Sequence, residues 1–217
     1  LGIDLHTAAI HRYNLPQIRI ASGSPHLTEL AMAFAPPIII ESPLRPGSMR
    51  ALAADRETPM LLLEAGEALR FDRYSIKVGV AGVLRVLAHI GMIELDDGLA
   101  VVKVPTRANR SSWVRAPRGG VSRRVRKSGD VVRQGDMLAV VGGLFGEDAQ
   151  ELVSPVDGVI IGHATLPVVN QGDALFHIAE VKTLDGVGHG ARSIADALAV
   201  SEPPHPPTTL LDEDEVL

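Results

Sequence analysis

Two short apolar runs, Ile38-Ile39-Ile40 and Met60-Leu61-Leu62-Leu63, set the tightest limit on what this chain can fold into. Neither alternates with polar residues, so each reads as a strand buried on both faces, the kind found in parallel sheets covered by helices. Helical patterns surround them. Residues 25–35 place Leu27, Leu30, Ala31 and Phe34 on one face, and Pro36-Pro37 end that helix. Ser48 suits the N-cap of a helix over residues 49–56. A longer helix is expected from about Arg73 to Ile93, where Gly79 and Gly82 permit close packing against a neighbour. Strand, helix, strand, helix in this order predicts part of an α/β sandwich over residues 1–97.

The pattern changes after Asp97. Residues 98–182 are rich in Val and Gly, with turn signals every eight to twelve residues, which predicts a small all-β domain. Within it Lys127-Ser128-Gly129-Asp130, Arg133-Gln134-Gly135-Asp136 and Asn170-Gln171-Gly172-Asp173 each precede an apolar strand, with Ser154-Pro155-Val156-Asp157-Gly158-Val159-Ile160 between them. This near-repeat resembles the barrel-sandwich hybrid of lipoyl and biotinyl domains. Those domains carry their cofactor on a lysine, and no Lys lies between 128 and 181. The module is therefore expected to be structural or to set specificity. Residues 183–217 are expected to be a disordered tail, because 201–217 hold four prolines, five acids and no Lys or Arg.

The chemistry sits near the N-terminus. Leu1-Gly2-Ile3 delivers Asp4, His6 and Thr7 at the C-terminal end of a short strand, where open α/β sheets hold ligands and metals. Alternation puts residues 4 and 6 on the same face, so an imidazole and a carboxylate can share one site. Arg12, Asn14 and Arg19 follow in what reads as a loop, with Asn14-Leu15-Pro16 as a turn. Glu64 stands where the second buried strand emerges.

Asp4-Leu5-His6-Thr7-Ala8-Ala9 with Arg12-Tyr13-Asn14-Leu15-Pro16-Gln17-Ile18-Arg19 resembles the succinylglutamate desuccinylase/aspartoacylase family of zinc-dependent deacylases, which share the zinc-carboxypeptidase fold. Gly47-Ser48-Met49-Arg50, Leu61-Leu62-Leu63-Glu64-Ala65-Gly66-Glu67, Ser112-Trp113-Val114-Arg115-Ala116-Pro117, Leu144-Phe145-Gly146-Glu147 and the block from Val169 to Ile178 continue the resemblance in order. It implies a partial zinc-carboxypeptidase-like α/β/α sandwich followed by the barrel-like domain. It further implies one zinc ion per intact catalytic domain, His6 as a metal ligand with Asp4 orienting it, and Glu64 as general base. Arg50 would grip a substrate carboxylate, which a planar guanidinium does better than lysine. Arg12, Asn14 and Arg19 would line the same cleft. The substrate expected is a small acylated, anionic molecule.

The family's His-x-x-Glu metal motif does not occur before His6. One candidate ligand of three is present, so the chain is expected to be the C-terminal portion of such a hydrolase and inactive by itself. The alternative is a non-catalytic binding or scaffold module with a degenerate hydrolase domain. The absence of cysteine excludes disulfides, thiolate metal sites and a Cys nucleophile, and with no leader-like N-terminus it suggests a cytoplasmic protein. The expected long helix is interrupted by Lys77, Arg85 and His89, which argues against a membrane span. Residues 103–127 hold nine Lys or Arg and no acid, yet only Trp113 offers base stacking, so a basic face rather than nucleic-acid binding is expected. Oligomeric state is not readable from these residues.

Overall fold

The computed structural model describes residues 1–95, 97–99 and 104–181. The tail expected over 183–217 lies outside the described residues. The first half of the chain forms β1 (Gly2–His6), β2 (Arg12–Ile20), α1 (Pro25–Phe34), β3 (Ile38–Glu41), α2 (Met49–Asp55), β4 (Met60–Gly66) and α3 (Arg73–His89). Side chains cap the three helices as expected of such residues. Ser24 Oγ accepts from Leu27 N at 3.3 Å, Ser48 Oγ from Ala51 N at 3.2 Å, and Asp72 Oδ1 from Tyr74 N at 3.0 Å. Among the described residues no helix is long and apolar enough to cross a membrane.

The two apolar runs are β3 and β4, and both are buried as their composition requires. The strand between them in the sheet is the surprise. Residues 12–20, expected as a loop, form the nine-residue β2, parallel to β3 and antiparallel to β4. Pro16 lacks an N–H and reads as a turn former, but the register between β2 and β4 shifts between Asn14 and Gln17, and the proline occupies that irregularity. On the far side of the bulge Ile18 and Ile20 pack with Ile39, Leu61, Leu63 and Ala65 against Leu30, Ala31 and Phe34 of α1 and Val86 of α3. One sheet face is thus sealed by helices. The alternate residues, Gln17, Arg19, Glu64 and His6, are left for the other face.

The second half adds β5 (Thr106–Ala108), β6 (Ser111–Arg115), β7 (Gly120–Arg124), β8 (Val131–Val132), β9 (Met137–Gly142), β10 (Gln150–Val153), β11 (Gly158–Ala164), β12 (Val168–Val169) and β13 (Ala174–Glu180). The three Gly-Asp turns are one device used three times. Lys127, Arg133 and Asn170 each donate their backbone N–H to the Asp Oδ2 three residues on, at 2.9, 3.0 and 2.8 Å. The intervening Gly129, Gly135 and Gly172 have φ of 97°, 90° and 87°, a conformation that costs glycine nothing.

These strands do not close into a barrel. β7, β9, β10 and β12 form a four-stranded sheet. The remaining strands join the sheet of the first half, β11 pairing with β2 and β5 with β3, into one sheet of nine. Leu138, Val141, Leu152 and Val169 from the smaller sheet pack on Val114, Ile160, Phe176 and Ile178 from the larger one. The result is a mixed α/β fold in which hydrogen bonding runs straight across residue 97. The basic stretch is divided among separate partners: Arg107 pairs with Glu41, Arg110 with Glu180 and Arg118 with Asp148.

Candidate active site

His6 and Glu64 are register partners on the parallel strands β1 and β4, at their C-terminal ends. That places an imidazole and a carboxylate side by side at the edge where such sheets hold ligands. The His6 side chain is 56% exposed, and its Nε2 lies 3.1 Å from Asp4 Oδ1, leaving Nδ1 as the free ring nitrogen. Asp4 reaches it because the two residues share one strand face.

Glu64 is held more firmly. Its Oε2 accepts from Asn14 Nδ2 at 3.0 Å, and its Oε1 lies 3.1 Å from Arg19 Nε. The Arg19 contact is an ion pair without the alignment of a hydrogen bond, since that buried Nε has no hydrogen-bond partner. Each carboxylate oxygen therefore has its own neighbour on β2, and the carboxylate plane cannot turn freely. Two of the three residues expected to line the cleft from a loop are instead strand residues that clasp Glu64.

Arg50 stands on the short helix α2, where its Nη2 donates to Ser42 Oγ at 3.3 Å and its Nη1 is buried without a hydrogen-bond partner. Burial, with Arg19 beside it, lowers its pKa, and Glu64 partly offsets this. With Ala21, Leu27, Leu44, Ala54, Thr58 and Met60 it lines a small cavity.

Arg12 points elsewhere. Its guanidinium lies 4.9 Å from the centre of the Trp113 ring, and Trp113 stacks on His177 at 4.3 Å with 13° between the planes. Among the described residues Arg12 has no ion pair. His177 is buried, with Nε2 2.9 Å from Ser111 Oγ. Burial, reinforced by Arg19 and Arg12, pushes its pKa down to about 3. His163 on β11 is similar. Its Nδ1 takes the Ser128 N–H at 3.1 Å, and burial, with Arg124 and Lys127 nearby, pushes it down to about 4.

Neither histidine carries a local sequence signal, because the partners Ser128 and Ser111 lie 35 and 66 residues away in the chain. Both histidines stay neutral in the fold but take up a proton below about pH 6.5 when unfolded. Stability should therefore fall as pH drops from about 6.5 towards 4, by on the order of 1 kcal/mol per pH unit for each histidine. Urea unfolding at pH 7 and pH 5 checks this. His177→Phe should flatten the dependence, and an unchanged pH slope in that variant would remove His177 as a contributor.

The fit to a metal is incomplete. Catalytic zinc takes three protein ligands and an open position. Among the described residues no group of three or more His, Asp or Glu side chains could hold a metal ion. His6 supplies one imidazole and nothing beside it completes the set.

Residues 1–90 match the succinylglutamate desuccinylase/aspartoacylase catalytic domain. No match was found among curated proteins. Solved structures share the fold. The apo ectoine utilization protein EutE (DoeB) from Ruegeria pomeroyi superposes with a TM-score of 0.73 at 17% identity, over 82% of this chain and 59% of that one. A succinylglutamate desuccinylase/aspartoacylase from Rhodobacter sphaeroides gives 0.67 at 24% identity, over 82% and 57%. A product-bound EutE structure gives 0.71 at 17% identity, again over 82% and 57%. The chain thus spans under three-fifths of the length of the solved structures it resembles.

Proposed function

We propose that this chain, whose first 90 residues match that catalytic domain, is part of a zinc-dependent deacylase that cleaves the amide of a small N-acylated, anionic substrate by hydrolysis. The observation that carries the reading is Glu64, clamped at both oxygens and set in register beside His6 at the C-terminal edge of β1 and β4. A carboxylate so placed accepts a proton from an attacking water and returns it to the departing amine. His6 is the imidazole offered to a zinc ion at this strand end, and Asp4 fixes which ring nitrogen is offered. Bound zinc lowers the pKa of its water to near 7. The other two ligands are not among the described residues, so no step is assigned to the metal.

Arg50 is the carboxylate-binding group in this reading. Its buried Nη1 is a donor with no partner, and a buried donor without one is costly unless a ligand supplies the acceptor. Arg12, which makes no ion pair among the described residues, adds a second positive charge on the β2 side.

The test is release of free amine from a panel of N-acyl amino acids by the native gene product, with metal content measured in parallel. Turnover that requires a stoichiometric metal is expected. A product with no turnover across the panel would favour a non-catalytic scaffold. Within an active protein, Arg50→Lys keeps the charge but loses the paired donors, so KM for a carboxylate-bearing substrate should rise roughly ten- to a hundredfold. A neutral analogue should be affected less. Equal impairment with both substrates would make Arg50 part of the scaffold.

A further inference from the structure

We propose that Gly162, a residue of β11 far from Glu64 in sequence, is a positioning residue for that carboxylate and acts through the Asn14 amide. This rests on the reading of Glu64 as the proton-accepting group.

Asn14 is the register partner of Gly162 across the β2–β11 pair and is nearly buried. A Cβ at position 162 would stand 2.7 Å from Asn14 Oδ1, while the next nearest atoms, His177 Cβ and Tyr13 O, are at 3.4 and 3.5 Å. A methyl group there therefore conflicts with one atom, the amide oxygen of the residue whose Nδ2 holds Glu64 Oε2 at 3.0 Å. Residue 162 is not among the glycines of positive φ, so its backbone would accept any residue. What keeps it small is space.

The chain of cause runs from the second half of the protein into the site. An absent side chain on β11 leaves a seat for the Asn14 amide, and the seated amide orients Glu64. Arg19 alone would still attract Glu64 Oε1, but one off-axis ion pair leaves the carboxylate free to rotate. General-base chemistry is sensitive to such rotation, because misplacement by about 1 Å can cost on the order of a hundredfold in rate. The competing explanation is that Gly162 serves the irregularity between Ile160 and Gly162 in the β11–β13 register.

A double-mutant cycle in the native gene product separates the two. Gly162→Ala and Asn14→Ala should each lower kcat by roughly ten- to a hundredfold with little change in KM. The double variant Asn14→Ala/Gly162→Ala should match Asn14→Ala alone, because the methyl group then has nothing to displace. If Gly162→Ala turns over like the parent, the proposal is overturned. It is also overturned if the double variant is as unfolded as Gly162→Ala, since the glycine then serves the backbone irregularity.

A second readout needs no turnover. The Asn14 side-chain amide signal in an NMR spectrum should shift in Gly162→Ala as it does in Glu64→Gln, with the rest of the spectrum retained. If the parent hydrolyses nothing, the deacylase reading fails, and the amide signal alone decides whether Gly162 seats Asn14. An unmoved signal overturns the proposal.

Discussion

Glu64→Gln in the native gene product should leave the metal content unchanged and reduce turnover by on the order of a hundred- to ten-thousandfold, the range over which a positioned base contributes. His6→Ala should instead abolish metal loading, and turnover with it. The two substitutions separate because the side chains do different work. His6 offers an exposed ring nitrogen at the sheet edge, whereas Glu64 is recessed and already engaged by Asn14 and Arg19. A carboxylate engaged at one oxygen by the Asn14 amide and at the other by the Arg19 charge is poorly placed to serve a third party as a metal ligand, but a shared proton is within its means. Metal analysis on both variants decides the matter. An equal loss of metal from both would make Glu64 a ligand and leave the base unassigned.

Gly82→Ala should destabilise the protein by about 1–3 kcal/mol, the usual cost of forcing extra volume into a packed core. Helix propensity alone predicts the opposite sign, since alanine improves on glycine by up to about 1 kcal/mol in a helix interior. Packing wins because an added Cβ at 82 would lie 2.1–2.4 Å from three ring atoms of Phe34, a side chain with no exposed surface. The ring has little room to retreat, because it belongs to the same buried core as Leu30, Ile39, Leu61 and Val86. A fall in melting temperature of several degrees is expected, and Phe34→Leu should recover part of it when combined with Gly82→Ala. An alanine variant as stable as the parent would show that α1 and α3 are packed less tightly than this geometry requires.

Local signals located much of this. Ile38-Ile39-Ile40 and Met60–Leu63 read as buried strands because each is apolar on both faces, and they are. Ser48 marks its helix start because a short hydroxyl satisfies a free N–H there. The expected end of the long helix, Ile93, is four residues late. Ile90, Met92 and Ile93 prolong the apolar pattern, but Gly91 adopts φ of 76° and the helix closes at His89. β2 was illegible for a related reason: Asn-Leu-Pro is turn chemistry, and only the partner strand reveals that the proline sits in a bulge. Asp4, His6 and Glu64 could be read because strand alternation and strand ends are local properties. The clasp around Glu64 could not, because Asn14, Arg19 and Gly162 meet it only through pairing between distant strands.

That distance also has a bearing on time. The buried Gln17 side chain donates to the Ile161 carbonyl, 144 residues along the chain, at 3.4 Å, as β2 settles against β11. Pairing over such a separation is slow, because the closure entropy of the intervening loop is spent before the contact gives anything back. During synthesis at about 5–20 residues per second, β2 waits roughly 7–30 s for its partner to emerge. Over that interval residues 12–14 of β2 lack their partner on β11, and the core around Leu15 lacks Val159 and Ile161. The strands that carry His6 and Glu64 are therefore made before β11 and completed only with it.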